Sequence, residues 1–279
     1  MNLTSRAMVG PLVIAIAVLA MPATSQAATA AYQAEIEASA PVLHYQFNEA
    51  SGAALNYGSL GSAYDATYLG APTRQAQTLA GDTGVAFATA EDYLESLGVA
   101  PAGLTGNPTF SAEALFYVPV GGTCSLWAPF LHWGPSDNDG TTARSVYFSF
   151  SNNDPTSAFA GFYNGGLKSA AGSLPLGRWH HFIWVRVGGG TALEGTTVYL
   201  DGVDVTATLL PDPALPADGL TPTVGATEFR VNRARDFDGS RYFTGTLDEL
   251  ALYDRALTPQ EAFDHYHEAL DEIFADGFE

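Results

Sequence analysis

Residues 242–270 constrain the fold more than any other stretch, because they combine a strand pattern with a marked helix start. Side chains alternate between the two faces of a strand, so within residues 243–253 Leu250 is expected to share a face with Asp248. Glu249 is then expected on the opposite face, together with further apolar side chains. A strand that is apolar on both faces is covered on both. The pattern therefore predicts a strand in the middle of a layered β structure.

A helix start follows this strand directly. Thr258 can act as the N-cap, Pro259 suits the first helical position, and Glu261 completes a capping box three residues after Thr258. The side chains that would face the rest of the protein then recur at helical spacing: Ala262, Tyr266 and Ala269. The pattern predicts a short helix near the C-terminal end of the chain.

The preceding chain is patterned as many short strands. Runs rich in Val, Phe, Tyr and Thr are separated by Gly, Pro, Asn and Asp, and Asp201-Gly202 is typical of a tight hairpin turn. Residues 209–222, which are rich in Pro and Asp, are expected to form an irregular connection. No helical pattern alternates with the strands, which excludes a βαβ fold. An all-β, single-domain sandwich is predicted.

Three stretches resemble a known family. Residues 245–261, GTLDELALYDRALTPQE, resemble the ending of the laminin-G-like, concanavalin-A-like jelly-roll domains of secreted bacterial proteins. Residues 177–205 resemble the "W-H-H, strand, loop, strand, D-G" hairpin of these domains, and residues 41–52 resemble their opening strand. The resemblance implies a two-sheet antiparallel jelly roll over residues 41–270 with a short C-terminal helix. It says little about the ligand, because this fold hosts many functions.

The N-terminal residues predict export. Residues 1–27 have a signal-peptide pattern, with Arg6, an apolar run over 7–21 and a small-residue cleavage site at the end. Residues 28–40 are expected to be a lead-in to the domain, and residues 271–279 a short tail. The mature protein is therefore predicted to be secreted, into the periplasm or the medium, without membrane insertion.

The charge of the chain limits its partners. Lys and Arg number 11 against 30 Asp and Glu, a formal net charge of −19. Nucleic acids and anionic lipids are bound by clustered basic residues, so both are disfavoured as partners. Neutral glycans and divalent cations remain compatible with this charge. Cys124 is the single cysteine, which excludes an intrachain disulfide and suggests a small buried side chain.

No catalytic pattern is recognised in the sequence. A glycosidase on this fold would need two carboxylates across a cleft, and no E-x-D-x-E run is present. A set of Arg, Gln-His and Tyr, as in polysaccharide lyases of this shape, cannot be assembled, and G-x-S-x-G is absent.

His180 and His181 are interpreted as structural, since consecutive strand residues face opposite ways. The sequence therefore favours a non-catalytic binding module for glycans or glycoconjugates. A glycan-cleaving enzyme and a protein-binding adhesion module remain the alternatives.

Calcium is the expected cofactor. Asp137, Asn138 and Asp139 precede Gly140, and Ca²⁺ takes its oxygen ligands from acidic loops of this kind. The resemblance to laminin-G modules and pentraxins implies ligands in this loop, with Glu228 as a more distant member of the set. The alternative is an ordinary solvated turn. Asp248 is expected to be half-buried, bonded either to loop amides or to a structural cation.

The expected ligand site is a platform of aromatic rings. Tyr147 shares a predicted strand face with serines, Tyr163 lies on the next strand, and Trp133 lies beside the acidic loop. Exposed rings of this kind stack on the apolar faces of sugars. The alternative is that all three rings are packed in the core, where aromatic side chains of sandwiches are commonly found.

Overall fold

The computed structural model describes residues 25–78, 82–135, 143–213, 220–235 and 241–275. Within them the chain forms two antiparallel sheets of eight strands each and two α-helices. The strands are β1 Leu43–Tyr45, β2 Ala66–Leu69, β3 Thr73–Gln77, β4 Thr83–Phe87, β5 Tyr93–Val99, β6 Phe110–Tyr117, β7 Pro129–Trp133, β8 Val146–Ser151, β9 Asp154–Phe162, β10 Gly165–Lys168, β11 Trp179–Arg186, β12 Thr196–Leu200, β13 Val203–Asp204, β14 Leu210–Pro211, β15 Glu228–Val231 and β16 Gly245–Tyr253. The helices are α1 Ser25–Ala38 and α2 Pro259–Ala275.

The first sheet, sheet A, is built around β16. Its order is β13-β12-β11-β6-β16-β4-β3, and β1 pairs with the part of β16 that β4 does not reach. Strand β16 thus has β6 along one edge and both β4 and β1 along the other. The prediction of a central strand covered on both faces is confirmed.

The second sheet, sheet B, has the order β14-β10-β9-β8-β7-β15-β5-β2. It packs against sheet A through a core that is rich in phenylalanine. The ring of Phe130 lies 4.5 Å from that of Phe116 and 4.6 Å from that of Phe150, centroid to centroid. All three side chains are fully buried. Removing one such ring from a core costs about 3–5 kcal/mol of stability, so this layer accounts for much of the cohesion between the sheets.

A β-bulge in β16 changes which side chains share a face. The register with β6 shifts between Asp248 and Ala251, and Glu249 has a φ of 45°. Asp248 pairs with Leu115, whose side chain lies on the outer face of sheet A, while Leu250 belongs to the core between the sheets. The expectation that Asp248 and Leu250 share a face is therefore wrong. A bulge adds one residue to a strand and so reverses the alternation beyond it.

Both helices lie on the outer face of sheet A. Tyr32 and Ile36 of α1 are fully buried there, as are Ala262 and Ala269 of α2. The predicted capping box is confirmed, because the N–H of Glu261 donates to Thr258 Oγ1 at 3.2 Å, and the Thr258 N–H donates to a Glu261 carboxylate oxygen at 2.7 Å. Helix α1 includes most of the predicted lead-in segment.

The predicted hairpin is also found. Asp201 and Gly202 have φ values of 48° and 72° and connect β12 to β13. In the described part of the chain, no helix is long and apolar enough to cross a membrane.

Candidate functional site

The outer face of sheet B carries a continuous row of polar and aromatic side chains. Tyr147 of β8 lies opposite His132 of β7, and His132 lies opposite Arg230 of β15. Arg230 in turn lies opposite Glu95 of β5. Directly paired residues point to the same side of a sheet. Phe148, the strand neighbour of Tyr147, belongs to the core, so the row faces away from sheet A.

One half of this face, at Tyr147 and His132, is closed to solvent. The two rings meet edge to face with centroids 4.7 Å apart, and their exposed fractions are 2% and 0%. The guanidinium of Arg241 lies 5.3 Å from the Tyr147 ring and 5.2 Å from that of Trp127. The indole N–H of Trp127 donates to Asp212 at 2.9 Å. We call this part the closed half.

The other half is lined by ion pairs that remain accessible. The Arg230 Nε lies 2.5 Å from a carboxylate oxygen of Glu95, and Arg235 lies 3.3 Å from the same oxygen. Arg235 also pairs with Glu228. The exposed fractions of these side chains run from 17 to 35%. Paired guanidinium and carboxylate groups at a partly exposed site can still bond to a ligand's hydroxyl groups.

Apolar side chains lie beside these ion pairs. Tyr93 of β5 lies beside Arg230, and Val99 pairs with Glu228. Leu97, between Tyr93 and Val99 in sequence, is 65% exposed, and Val99 is 47% exposed. The guanidinium of Arg233 lies over the Tyr93 ring at 4.6 Å. We call this part the open half, and its mixture of apolar and hydrogen-bonding groups suits a ligand that has both.

His132 is unusual among the buried groups. Neither ring nitrogen has a hydrogen-bond partner. Burial and then the positive charges of Arg230, Arg241 and Arg235 hold its pKa well below the usual value for histidine. His132 is therefore neutral, with one N–H to donate and one nitrogen to accept, in a positively charged environment.

The structure separates the three rings of the predicted platform. Trp133 lies in the core with an exposed fraction of 0%, and its indole N–H donates to the carbonyl of Leu104 at 2.9 Å. Its neighbour in the register is Val146, a core residue, so it faces sheet A. The expectation of an exposed ring is corrected for Trp133 and for Tyr147, which is 2% exposed. Tyr147 and Tyr163 belong instead to a small cluster on the outer face of sheet B.

The predicted calcium ligands are only partly within the described residues. Asp137, Asn138 and Asp139 lie outside them. Glu228 lies on β15 and is engaged by Arg235. A guanidinium on this carboxylate competes with any cation, so Glu228 is better placed as part of the open half than as a metal ligand.

A different carboxylate group meets on the outer face of sheet A. Among the described residues, the ligand atoms of Asp82, Asp248 and Glu249 lie within 4.8 Å of one another. His44 Nε2 lies 2.6 Å from one Glu249 oxygen, and the Gln33 amide donates to the other at 2.6 Å. Burial, opposed by hydrogen bonds but assisted by the charge of Glu249, raises the pKa of Asp82 to about 6. These three carboxylates could hold a cation.

A second buried carboxylate, Glu113, lies beneath the helices. It accepts hydrogen bonds from Tyr32 and Tyr253, each at 2.9 Å, and lies 2.8 Å from a nitrogen of His181 and from His265 Nδ1. Burial opposes ionisation of Glu113, but the two histidines outweigh it and hold its pKa well below the usual value. Glu113 thus joins four elements: α1, β16, β11 and α2.

The same cluster contains a Ser–His–Glu arrangement. Ser39 Oγ lies 2.9 Å from His265 Nε2, and His265 Nδ1 faces Glu113. A catalytic serine must be open to substrate and have donors for the developing oxyanion. Ser39 is 5% exposed, its N–H donates to carbonyls of α1, and its carbonyl accepts from Arg255. Ser39, His265 and Glu113 therefore connect the helices to sheet A by hydrogen bonds, and we call this group the clamp.

The predicted structural role of His180 and His181 is also borne out by their contacts. His180 lies 2.8 Å from an Asp201 carboxylate oxygen and 2.9 Å from the Pro175 carbonyl. His181 is turned to the other face, toward Glu113. The two rings do not share a site.

Comparison with known families agrees with this architecture. The model of the laminin G 3 family, described as the concanavalin A-like lectin/glucanases superfamily, matches residues 90–262, more than half of the chain. The chain belongs to this family. No curated protein matches the chain.

Solved structures of other proteins are similar to this chain in fold. A sialidase from Trypanosoma rangeli, in complex with 2,3-difluorosialic acid, has a TM-score of 0.54 at 14% identity over 89% of this chain and 39% of its own. The receptor-binding domain of botulinum neurotoxin D has a TM-score of 0.52 at 9% identity over 83% of this chain and 53% of its own. Domain 4 of AbnA, a GH43 extracellular arabinanase from Geobacillus stearothermophilus, in complex with arabinotriose, has a TM-score of 0.49 at 16% identity over 81% and 98%. This chain thus spans about two fifths of the sialidase and about half of the toxin domain. The likenesses to the sialidase and to the toxin domain establish the fold alone.

Most of the row on the outer face of sheet B was not predicted from the sequence. His132, Arg230 and Glu95 lie on separate strands that are far apart in sequence, so only the strand order brings them together. The sequence did contain one indication, because successive side chains of a strand point to opposite faces, and this places His132 on the opposite face from Trp133. Asp82 gave no signal, because its partners depend on the bulge at Glu249.

Proposed function

We propose that this protein is a secreted, non-catalytic glycan-binding module whose site is the outer face of sheet B. The observation that carries the proposal is the continuous row Tyr147, His132, Arg230 and Glu95 across four adjacent strands. The row places aromatic, cationic and anionic groups side by side on one face of sheet B, and its Arg230 and Glu95 part is accessible. Membership of a superfamily of lectins and glucanases supports the same ligand class.

The open half suits a sugar chain in two ways. Sugar rings have apolar C–H faces, which can lie on Leu97 and Val99, both well exposed. Their hydroxyl groups both donate and accept, so each can bond to a guanidinium such as Arg230 or to a carboxylate such as Glu95. A glycan therefore uses every type of group that this surface offers.

Calcium binding is proposed as an accompanying property at one of two places. One is the acidic loop with Asp137 and Asp139. The other is the set formed by Asp82, Asp248 and Glu249, which is supported by the proximity of its carboxylates and the raised pKa of Asp82. Ca²⁺ binds six to eight oxygens, so either place would need backbone or water oxygens in addition.

A second candidate function, glycan cleavage by elimination, is favoured by one observation. Arg230, His132 and Tyr147 lie side by side, an Arg–His–Tyr set that the sequence did not reveal. In such a reaction a base removes the proton beside the carboxylate of an acidic sugar, a C=C bond forms, and the C–O bond to the leaving sugar breaks as its oxygen takes a proton. Elimination also needs an acid and a base that both contact the sugar ring, and Tyr147 is packed between His132 and the guanidinium of Arg241, so binding is preferred.

A glycan-array screen of the mature protein tests the proposal. The variant Leu97→Ser, in the open half, should lose binding, while Val203→Ser, an exposed residue of sheet A, serves as the matched control. Bound oligosaccharides should be recovered uncleaved. Binding that survives Leu97→Ser combined with Arg230→Ala would place the site elsewhere, and recovery of unsaturated fragments would establish the lyase.

A further inference from the structure

Two fully buried side chains on the outer face of sheet B lack hydrogen-bond partners. Neither nitrogen of His132 is bonded, nor is the hydroxyl of Ser145, and both residues have an exposed fraction of 0%. A buried polar group without a partner costs free energy, so such groups are rare in folded proteins and mark places where a ligand or water bonds. The two residues therefore point to an occupant.

The two residues are neighbours on the sheet. Ser145 precedes β8 and lies two residues before Tyr147, which pairs with His132. A Cβ on Gly134, two residues after His132, would lie 2.6 Å from the Ser145 Cα. His132 and Ser145 are thus diagonal neighbours across β7 and β8 on one face.

Three of the unpartnered groups at this place can donate a hydrogen bond. They are the Ser145 hydroxyl, the one N–H of the neutral His132 ring and the buried Nε–H of Arg235, while the other His132 nitrogen can only accept. A set of unused donors is complementary to a group that only accepts. Carboxylate and sulfate groups accept in this way and carry the negative charge that strengthens each bond.

The local charge agrees with an anionic occupant. Four of the 11 basic residues of the chain fall within residues 230–241: Arg230, Arg233, Arg235 and Arg241. The charges of three of them act on His132. Arg230, Arg233 and Arg235 are ion-paired with Glu95, Glu91 and Glu228, so an anionic group of a ligand would replace one of these carboxylates.

The groups of this face that reach solvent lie in the open half. Arg230, the neighbour of His132 on β15, has an exposed fraction of 17%, and Arg235 one of 21%. An anionic group can be exchanged for the carboxylates that these long side chains now contact, since Arg–carboxylate pairs at partly exposed sites contribute little stability.

We propose that the outer face of sheet B binds an acidic glycan, with the carboxylate or sulfate of one sugar held by Ser145, His132 and Arg235. The inference rests on the proposed function and narrows its ligand class. The alternative is that a structural water bonds to the same donors. In that case the affinity of the protein for a sugar would not depend on whether the sugar carries a negative charge.

The first experiment compares matched oligosaccharides by calorimetry at about 0.15 M salt, where screening over about 8 Å removes the effect of the distant negative charges. The probes are a galacturonate oligosaccharide, its methyl ester, a neutral galactose oligosaccharide and a sulfated galactan oligosaccharide. We expect the acidic form to bind about tenfold or more tightly than its methyl ester, as hydrogen bonds to charged groups allow. Comparison of the uronate with the sulfated probe identifies which anion is preferred.

Three variants locate the effect. Ser145→Ala and His132→Phe should each reduce the affinity for the acidic probe about tenfold, leaving the affinity for the methyl ester unchanged. His132→Phe keeps a ring against Tyr147, and Ser145→Ala removes a hydroxyl without a partner, so melting temperatures should not fall. Ser149→Ala is the control, because this buried serine of the same strand donates to the Phe150 carbonyl. It should bind as the wild type does.

Two results would overturn the inference. Equal affinity for the acid and its methyl ester would show that the donors hold water only, and the glycan-binding function would still stand if neutral sugars bound. Unchanged affinity in Ser145→Ala would contradict it even if His132→Phe failed to fold. If neither neutral nor acidic glycans bound, the proposed function itself would fail.

Discussion

Asp248 and Glu249 are consecutive residues of β16, yet their carboxylates lie within 4.8 Å of each other. In a regular strand they would point to opposite faces. The positive φ of Glu249, 45°, forms a bulge that brings both to the outer face of sheet A, where Asp82 joins them. Three carboxylates so close together repel one another unless a proton or a cation lies between them. The two possibilities predict different responses to pH and to calcium.

The first prediction concerns the proton on Asp82. Burial raises the pKa of Asp82 to about 6, above its value in the unfolded chain, so the folded state holds a proton that the unfolded chain releases. The contribution of this group to stability is therefore full at pH 3–4 and is lost as the pH rises through 6. Asp82→Asn should raise the melting temperature at pH 8 in chelator and leave it unchanged at pH 4.

The partly exposed residue Asp264 of α2 provides the matched control, since no comparable group of carboxylates is described around it. Asp264→Asn should give no such pH-dependent gain. A melting temperature of Asp82→Asn equal to that of the wild type at both pH values would contradict a shared proton at this group.

The second prediction concerns calcium. A cation that binds only the folded state stabilises it by about 2.7 kcal/mol at a hundredfold excess over the dissociation constant. Calcium should raise the melting temperature of the wild type, and chelator should reverse the rise. Two double variants, Asp137→Asn with Asp139→Asn and Asp82→Asn with Asp248→Asn, show which place is responsible.

The variant that abolishes the response identifies the site, and the other variant is its control. A wild type that melts identically in calcium and in chelator would show that neither group binds the ion. The acidic loop would then be an ordinary turn, and the carboxylates of β16 would share a proton instead.

The third prediction concerns the clamp under the helices. The charge of Glu113 raises the pKa of His265 in spite of burial, and the charged histidine in turn lowers the pKa of Glu113. The contribution of His265 is full below pH 6.5 and is lost as the pH rises through its folded pKa, while that of Glu113 is lost as the pH falls below 4.5. The wild type should thus be more stable at pH 6 than at pH 8.

His265→Gln should remove most of the decline between pH 6 and pH 8, at the cost of lower stability at both. His267→Gln, an exposed neighbour on α2, is the control and should keep the decline. Equal slopes in the two variants would show that His265 is neutral in the folded protein. Denaturant unfolding at each pH gives the measurement.

The fourth prediction concerns Tyr147. Its ring is 2% exposed and is packed between His132 and the guanidinium of Arg241. Tyr147→Ala should cost about 3–5 kcal/mol, as removal of a buried ring does. Tyr57→Ala, where the ring is 48% exposed, should cost less than about 1 kcal/mol. A small loss of unfolding free energy in Tyr147→Ala would show that the Tyr147 ring is exposed, as the sequence suggested.

Much of the fold could be predicted because its signals are local. The capping box at Thr258, the turn at Asp201 and the apolar pattern of β16 each depend on neighbouring residues. The site could not be predicted in the same way. The bulge at Glu249 changes which side chains of β16 share a face. The row that includes His132 depends on which strands are neighbours in sheet B, and the sequence does not specify this order.

Trp133 shows a further limit. Its ring was expected at the surface because an acidic loop follows in the sequence. Closeness to a loop does not determine the face of a strand residue, and Trp133 pairs with Val146 and so points into the core. Alternation from this core position would have placed His132 outside, where the structure has it.

The most direct test of the account is an NMR titration of the mature, isotope-labelled protein with the tightest-binding oligosaccharide from the array. Backbone amide shifts are expected to cluster on β5, β7, β8 and β15, with the indole N–H of Trp127 among the signals that move. Shifts confined to the outer face of sheet A, around α1 and α2, would contradict it.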